Sequence, residues 1–155
     1  MMVASLPKTR TNSDEDRAAL ARASAVLERL RDQLTDAVDA DTAAYDRVVS
    51  AYKQPKGTPD EQQARTAAIQ QALRAATEVP LGVMRLSARG LEQAAIVAAH
   101  GHSAAASDVG VATALLRAGG TGARLNVEIN LDGLKDAGYV EAVRGEIKTL
   151  STGGT

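Results

Sequence analysis

The chain has 155 residues, a formal net charge of −1, two His, three Tyr and no Phe, Trp or Cys. That length suits one domain, and a near-neutral charge without interleaved aromatics excludes a nucleic-acid interface. The lack of Cys removes disulfides and thiolate chemistry, no apolar run reaches the roughly 20 residues of a membrane span, and Met1-Met2-Val3-Ala4-Ser5-Leu6 is too short for a signal peptide, so a cytoplasmic domain is expected.

Ala, Leu and Val must build the core. Small side chains bury little area each, and a thin core of this kind is often completed by a partner subunit. Residues 1–12 begin with an apolar stretch that Pro7 stops. Ser13 followed by Asp14, Glu15 and Asp16 is a helix start, with a cap residue and then acids on the positive end of the dipole. No breaker follows until Pro55, so the first helix is expected from about Ser13 to about Lys53, roughly 60 Å long. Leu20, Leu27, Leu30, Leu34, Val38, Tyr45, Val48 and Tyr52 are spaced near three and four, the pattern of a bundle seam.

Gln54-Pro55-Lys56-Gly57 is a turn, and Thr58-Pro59-Asp60-Glu61 opens the next helix with a capping box and a proline where its missing N–H does no harm. Val79-Pro80 is expected to break or kink it, leaving a third helix from Pro80 to about Ala99. After the turn Gly101-His102-Ser103 a fourth helix starts between Ser103 and Ser107. Gly119-Gly120 and Gly122 argue for a stop, since each glycine costs about 1 kcal/mol in a helix interior. Val127, Ile129 and Leu131 alternate like a strand, but a lone strand has no partner, so helix to about Asn130 is favoured. Asp132-Gly133 is a turn, Asp136 to Leu150 a last helix, and residues 151–155 a disordered tail. The expectation is one all-α domain over residues 1–155, an up-and-down bundle of about five helices.

Of the five aspartates on the first helix, Asp32, Asp36, Asp39 and Asp46 read as solvated surface. Asp41 is seven residues from both Leu34 and Val48, within about 20° of each at ~100° per residue, so it takes a position on the apolar seam. Asp39 points about 140° from Leu34. A charge on a seam costs several kcal/mol unless paired or protonated. Two readings stay open at this point: a salt bridge to a neighbouring helix or subunit, or an acid with a raised pKa that donates a proton.

Ser107-Asp108 reads as an N-cap pair or as polar groups facing a ligand at a helix N-terminus. Asn126 and Asn130 lie four apart on one face of an apolar segment, as bundle glue or as ligand hooks. Lys53 and Lys56 flank the end of the first helix. His100 and His102 have no acidic or His partner at helical spacing, so no metal site is expected.

Taken in order, several stretches resemble the cyclodeaminase/cyclohydrolase family of folate enzymes. They are Asp41-Thr-Ala-Ala-Tyr45, Ala51-Tyr52-Lys53-Gln54-Pro55-Lys56-Gly57-Thr58-Pro59-Asp60-Glu61, Val79-Pro80-Leu81, Gly101, Ser107-Asp108-Val-Gly-Val-Ala112 and Asn126-Val-Glu-Ile-Asn130. The resemblance implies a helical bundle that dimerises and acts on one-carbon adducts of tetrahydrofolate, with no cofactor beyond that substrate. One branch hydrolyses 5,10-methenyltetrahydrofolate to 10-formyltetrahydrofolate; the other closes 5-formiminotetrahydrofolate and expels ammonia. In the family the second acid of an Asp-x-Asp-like segment is the proton donor, which implies Asp41 here. Ser107, Asp108, Asn126 and Asn130 would bind substrate, and Lys53, Lys56 and Arg10 would receive the folate glutamate tail.

The chain departs from the family pattern at its start. Relatives carry a Pro-Gly-Gly-Gly-Ser-like loop before the Met-Val-Ala segment that stands here at Met2-Val3-Ala4, so a folate pocket lacking that loop is expected. Leu6-Pro7-Lys8-Thr9 stands where many relatives have Leu-Thr and a basic run, His102 replaces a common Asn, and the last helix looks short. The absence of a formiminotransferase domain favours the hydrolytic branch. The alternatives are the cyclodeaminase and a catalytically silent helical dimerisation module.

Overall fold

The computed structural model describes residues 13–152. Over that range the chain is four helices and a short 3-10 turn, with no strand among the described residues. The expectations for residues 1–12, Arg10 included, and for residues 153–155 lie outside the described residues. No helix of the described residues is long and apolar enough to cross a membrane.

Helix α1 spans Asp14–Tyr52. Its capping box closes as the sequence suggested: Ser13 Oγ accepts from the Asp16 N–H at 3.1 Å, and Asp16 Oδ2 accepts from the Ser13 N–H at 3.2 Å. Helix α2 spans Pro59–His100, with Thr58 and Glu61 forming the second box. Helix α3 spans Ala106–Asp132 after a 3-10 turn at Ser103–Ala105, and α4 spans Ala137–Thr152. The end of α4 therefore lies two residues beyond Leu150.

One expected break does not occur, and among the described residues the helices number four rather than about five. Pro80 is buried inside a continuous α2. A proline in a helix interior leaves the carbonyl four residues earlier without its N–H donor. Here that carbonyl belongs to Ala76, and Asn130 Nδ2 on α3 donates to it at 3.1 Å. The neighbouring helix supplies the missing hydrogen bond, so the helix continues. Helix α3 runs through Gly119, Gly120 and Gly122 to Asp132, in line with the helix to about Asn130 that the sequence favours. A Cβ added at Gly120 would sit 3.4 Å from Ser87 Cβ, and one at Gly90 only 2.8 Å from Leu116 Cδ2. Tertiary packing here outweighs intrinsic propensity.

Helix α2 is the hub. Ala51 packs with Ile69, Ala72 and Leu73 at one end, and Leu20 and Ala23 with Val97 at the other. Leu81 and Met84 meet Ala123, Val127 and Leu131 of α3 and Val143 and Ile147 of α4. A polar clasp seals α4 to α2: Arg85 grips both carboxylate oxygens of Glu146 at 2.6 and 2.8 Å, and Tyr139 donates to Glu78 at 2.7 Å. Arg74 lies over the Tyr139 ring, 4.1 Å from its centre, and bonds Asp136 at 3.2 Å. The guanidinium of Arg85 holds Glu146 below the usual carboxylate range, while burial and the bond to Glu78 push the Tyr139 phenol up.

The seam of α1 differs from the expected one. Its buried positions are Leu20, Ala23, Leu30, Ala44 and Ala51. Ala23, Leu30, Ala44 and Ala51 share a seven-residue frame that is mostly alanine, which lets α1 press close to α2. Leu34 and Val48 are half-buried on its shoulder, and Val38 and Tyr45 are 66% and 67% exposed.

Candidate functional site

The splay of α1 and α3 on either side of α2 leaves a groove of about 490 Å³. Val79, Pro80 and Val83 of α2 line it together with Val38 and Asp41 of α1 and Asn126 of α3. Further along α3, Gly119 and Gly122 add no side chain to its wall. Asp41 is the one charged residue among those lining the groove.

Asp41 keeps the company its spacing predicted, in one row with Leu34 and Val48, but that row is the shoulder of the seam. The carboxylate is exposed, which corrects the expectation of an acid within the seam. The physical reason is the alanine frame, which turns the true contact line by roughly 40–60° from Asp41 at ~100° per residue. Asp41 makes no hydrogen bond or ion pair with any described residue, so a salt bridge to a neighbouring helix is absent among the described residues. Its neighbour Thr42 is occupied, donating to the Val38 carbonyl at 3.2 Å.

The two asparagines divide the roles left open by the sequence. Asn130 is glue, its amide committed to Ala76 beneath Pro80. Asn126 faces the groove, exposed and without a hydrogen bond to any described residue. Ser107 and Asp108 are not the N-cap. They lie exposed within the first turn of α3, whose cap position is Ala105 with no side-chain bond. The capping at this corner comes from His102, which the sequence reading left without a role: its Nδ1 accepts from the Ala104 N–H at 3.1 Å.

Lys53 is the C-cap of α1 and Lys56 lies in the following loop. Lys53 stands about 18 Å along the helix from Asp41, with Lys56 in the loop beyond it, at the end of the bundle opposite Ser107-Asp108. One chain therefore gathers Asp41, Pro80 and Asn126, and holds the lysines and Ser107-Asp108 apart. Sequence reasoning missed Gly119 and Gly122 as groove residues. Their spacing of three, with Asn126 four further on, places all three on one face of α3 and was the available signal.

Comparison with known proteins gives this geometry its context. A family model described as Formiminotransferase-cyclodeaminase matches residues 1–149. A methenyltetrahydrofolate cyclohydrolase of Methylorubrum extorquens is 42% identical over 123 residues, covering 79% of this chain and 59% of that protein. A formimidoyltransferase-cyclodeaminase of Sus scrofa is 38% identical over 118 residues, covering 76% of this chain and 22% of that protein. The crystal structure of a formiminotetrahydrofolate cyclodeaminase from Thermotoga maritima superposes with a TM-score of 0.85 at 25% identity, over 98% of this chain and 72% of that one. The chain thus spans less than two thirds of the length of these curated relatives. With all but the last few residues inside the family match and the fold shared with a solved member, the chain belongs to the formiminotransferase-cyclodeaminase family.

Proposed function

We propose that this chain is a folate one-carbon enzyme that hydrolyses 5,10-methenyltetrahydrofolate to 10-formyltetrahydrofolate at the groove of Asp41. The observation that carries the reading is a carboxylate without a partner among the described residues, in a groove whose other described lining residues are uncharged. The methenyl adduct bears a positive charge shared over N5, the bridging carbon and N10, and a single carboxylate complements it. The 42% identity to a protein described as a methenyltetrahydrofolate cyclohydrolase favours hydrolysis.

Water adds to the bridging carbon, and its proton passes to the Asp41 carboxylate, leaving a neutral carbinolamine. The protonated Asp41 then delivers that proton to N5 as the N5–carbon bond breaks. The carbinol O–H proton leaves to solvent as the carbonyl forms, and the formyl group stays on N10. The net reaction consumes one water and releases one proton. Asn126, across the groove, offers an amide to orient the pterin or the carbinol oxygen.

The site is completed by a second copy of the chain. Val38 and Tyr45 beside Asp41, and Ile129 at 69% exposure on α3, form an apolar margin to the groove that a symmetric partner would cover. Sedimentation equilibrium is expected to return twice the chain mass; a monomer at micromolar concentration would refute this part.

The fold shared with a cyclodeaminase keeps ammonia release as the second reading. Assaying both substrates on one sample separates the two: loss of the methenyl absorbance marks hydrolysis, and ammonia production marks the cyclodeaminase. In either case Asp41→Asn is expected to abolish turnover while helical content survives, and unchanged turnover in that variant would remove Asp41 from the mechanism.

A further inference from the structure

We propose that the cleft between α2, α3 and the C-terminal end of α4 is a second binding site, for a small molecule with an anionic oxygen group on an apolar body. The cleft has a volume of about 440 Å³, within the range of ligand pockets. Met84, Leu116 and Leu150 form its apolar walls, and Arg117 and Arg124 border it; none of its lining residues is acidic.

The deciding feature is Ser87. Its side chain is among the lining groups, yet the residue is only 5% exposed, and its hydroxyl makes no hydrogen bond with any described residue. Leaving a buried hydroxyl unpaired is costly, and most buried polar atoms in folded proteins have a partner. A serine inside a helix usually has a carbonyl four residues earlier within reach, and Ser87 does not use it. An oxygen-bearing ligand in the cleft gives it a partner.

Two guanidiniums on one side of α3 supply the charge. Arg117 and Arg124 fall about 20° apart at ~100° per residue and roughly opposite Asn126, so α3 separates this cleft from the groove of Asp41. Arg124 places one bond on Glu128, at 2.6 Å, and a guanidinium has five donors. Paired N–H donors suit a carboxylate or a phosphate monoester, and the apolar walls require a hydrophobic body rather than a bare ion.

The test titrates the full ¹⁵N-labelled chain with phenylacetate in one arm and phenyl phosphate in the other, following amide shifts. Saturable shifts at Ser87, Gly120 and Leu150 are expected, and the arm that saturates identifies the anionic group. Arg117→Gln and Arg124→Gln are each expected to weaken binding about tenfold or more. Gly120→Ala, whose new Cβ would stand beside Ser87, is expected to weaken it while leaving the helix intact. Asp41→Asn is expected to bind as the parent does. Three results would overturn the proposal: no saturable shift up to ~10 mM in either arm, weaker than a fragment gives in a formed pocket; inorganic phosphate binding as tightly as phenyl phosphate; or loss of binding in Asp41→Asn.

Discussion

The two sides of α2 are built on opposite principles. Towards α4, Leu81 and Met84 disappear into a cluster with Val127, Val143 and Ile147, and the polar groups around them are paired with one another through Arg85, Glu146, Glu78 and Tyr139. Towards the groove, Pro80 and Val83 line an open space, bulky apolar side chains face outward, and Asp41 and Asn126 have no hydrogen-bond or ion-pair partner among the described residues. One side spends its interactions on holding the fold. The other leaves its chemical groups free to meet something that binds. Substitutions on the two sides should therefore dissociate stability from turnover.

The largest effect is expected at Asp41. Removing a positioned acid–base group costs about 10²–10⁴-fold in rate. Because Asp41 is exposed and has no partner among the described residues, Asp41→Asn should leave the urea midpoint almost unchanged, within the about 0.5 kcal/mol of an ordinary surface change. Loss of turnover accompanied by unfolding would mean that Asp41 also serves the fold, and the contrast between the two sides would fail. The converse experiment is Leu81→Ala. Leu81 is fully buried at the α2–α3–α4 junction, and the substitution should destabilise by about 2–5 kcal/mol. Below the new melting temperature the surviving folded fraction should turn over normally. A variant that keeps its stability would show that the apolar cluster around Leu81 does not hold the fold.

Pro80 links the two sides and gives a smaller, sharper test. Asn130→Ala removes the donor to the Ala76 carbonyl and should cost about 1–2 kcal/mol. In a Pro80→Ala background the new N–H at position 80 can satisfy that carbonyl within the helix, so the same Asn130 substitution should cost distinctly less. A double-mutant cycle measured by urea unfolding is expected to show coupling of about 0.5–2 kcal/mol. Additive effects would mean that Asn130 has no special bond to the proline-disrupted turn.

These particulars show which features local sequence carries. The capping boxes at Ser13 and Thr58 were readable because their chemistry lies within four residues. The continuity of α2 was not, because the bond that rescues Pro80 comes from Asn130, fifty residues away. The course of α3 through Gly119, Gly120 and Gly122 was legible, because the alternating Val127, Ile129 and Leu131 had no second strand to pair with. For the site, heptad arithmetic found Asp41 among five aspartates and placed it correctly beside Leu34 and Val48. It is off by one row, because large side chains alone do not mark the seam: Ala23, Ala44 and Ala51 are buried in it. The groove's third member, Asn126, could be separated from Asn130 only once the helices were in register.

The smallest expected effect lies at the far end of the bundle, away from both faces. His100, in the last turn of α2, bonds Asp16 in the first turn of α1 at 2.6 Å. That bond, reinforced by Ser13, lowers the Asp16 pKa below 3.8. A carboxylate whose pKa is lower folded than unfolded binds fewer protons in the native state. Its contribution is fully present above the unfolded value and is lost as pH falls through the lower, folded one. Acidification through this range should protonate Asp16, open the capping box and fray the first turn of α1. Amide exchange at residues 14–18 should quicken there before the α2–α4 cluster loosens. In His100→Ala the titration of Asp16 should move up towards its ordinary value, and fraying should begin at a correspondingly higher pH. If Asp16 titrates identically with and without the imidazole, the bond between the helix ends is too weak to matter, and the start of α1 is held by Ser13 and the contacts of Leu20 and Ala23 with Val97.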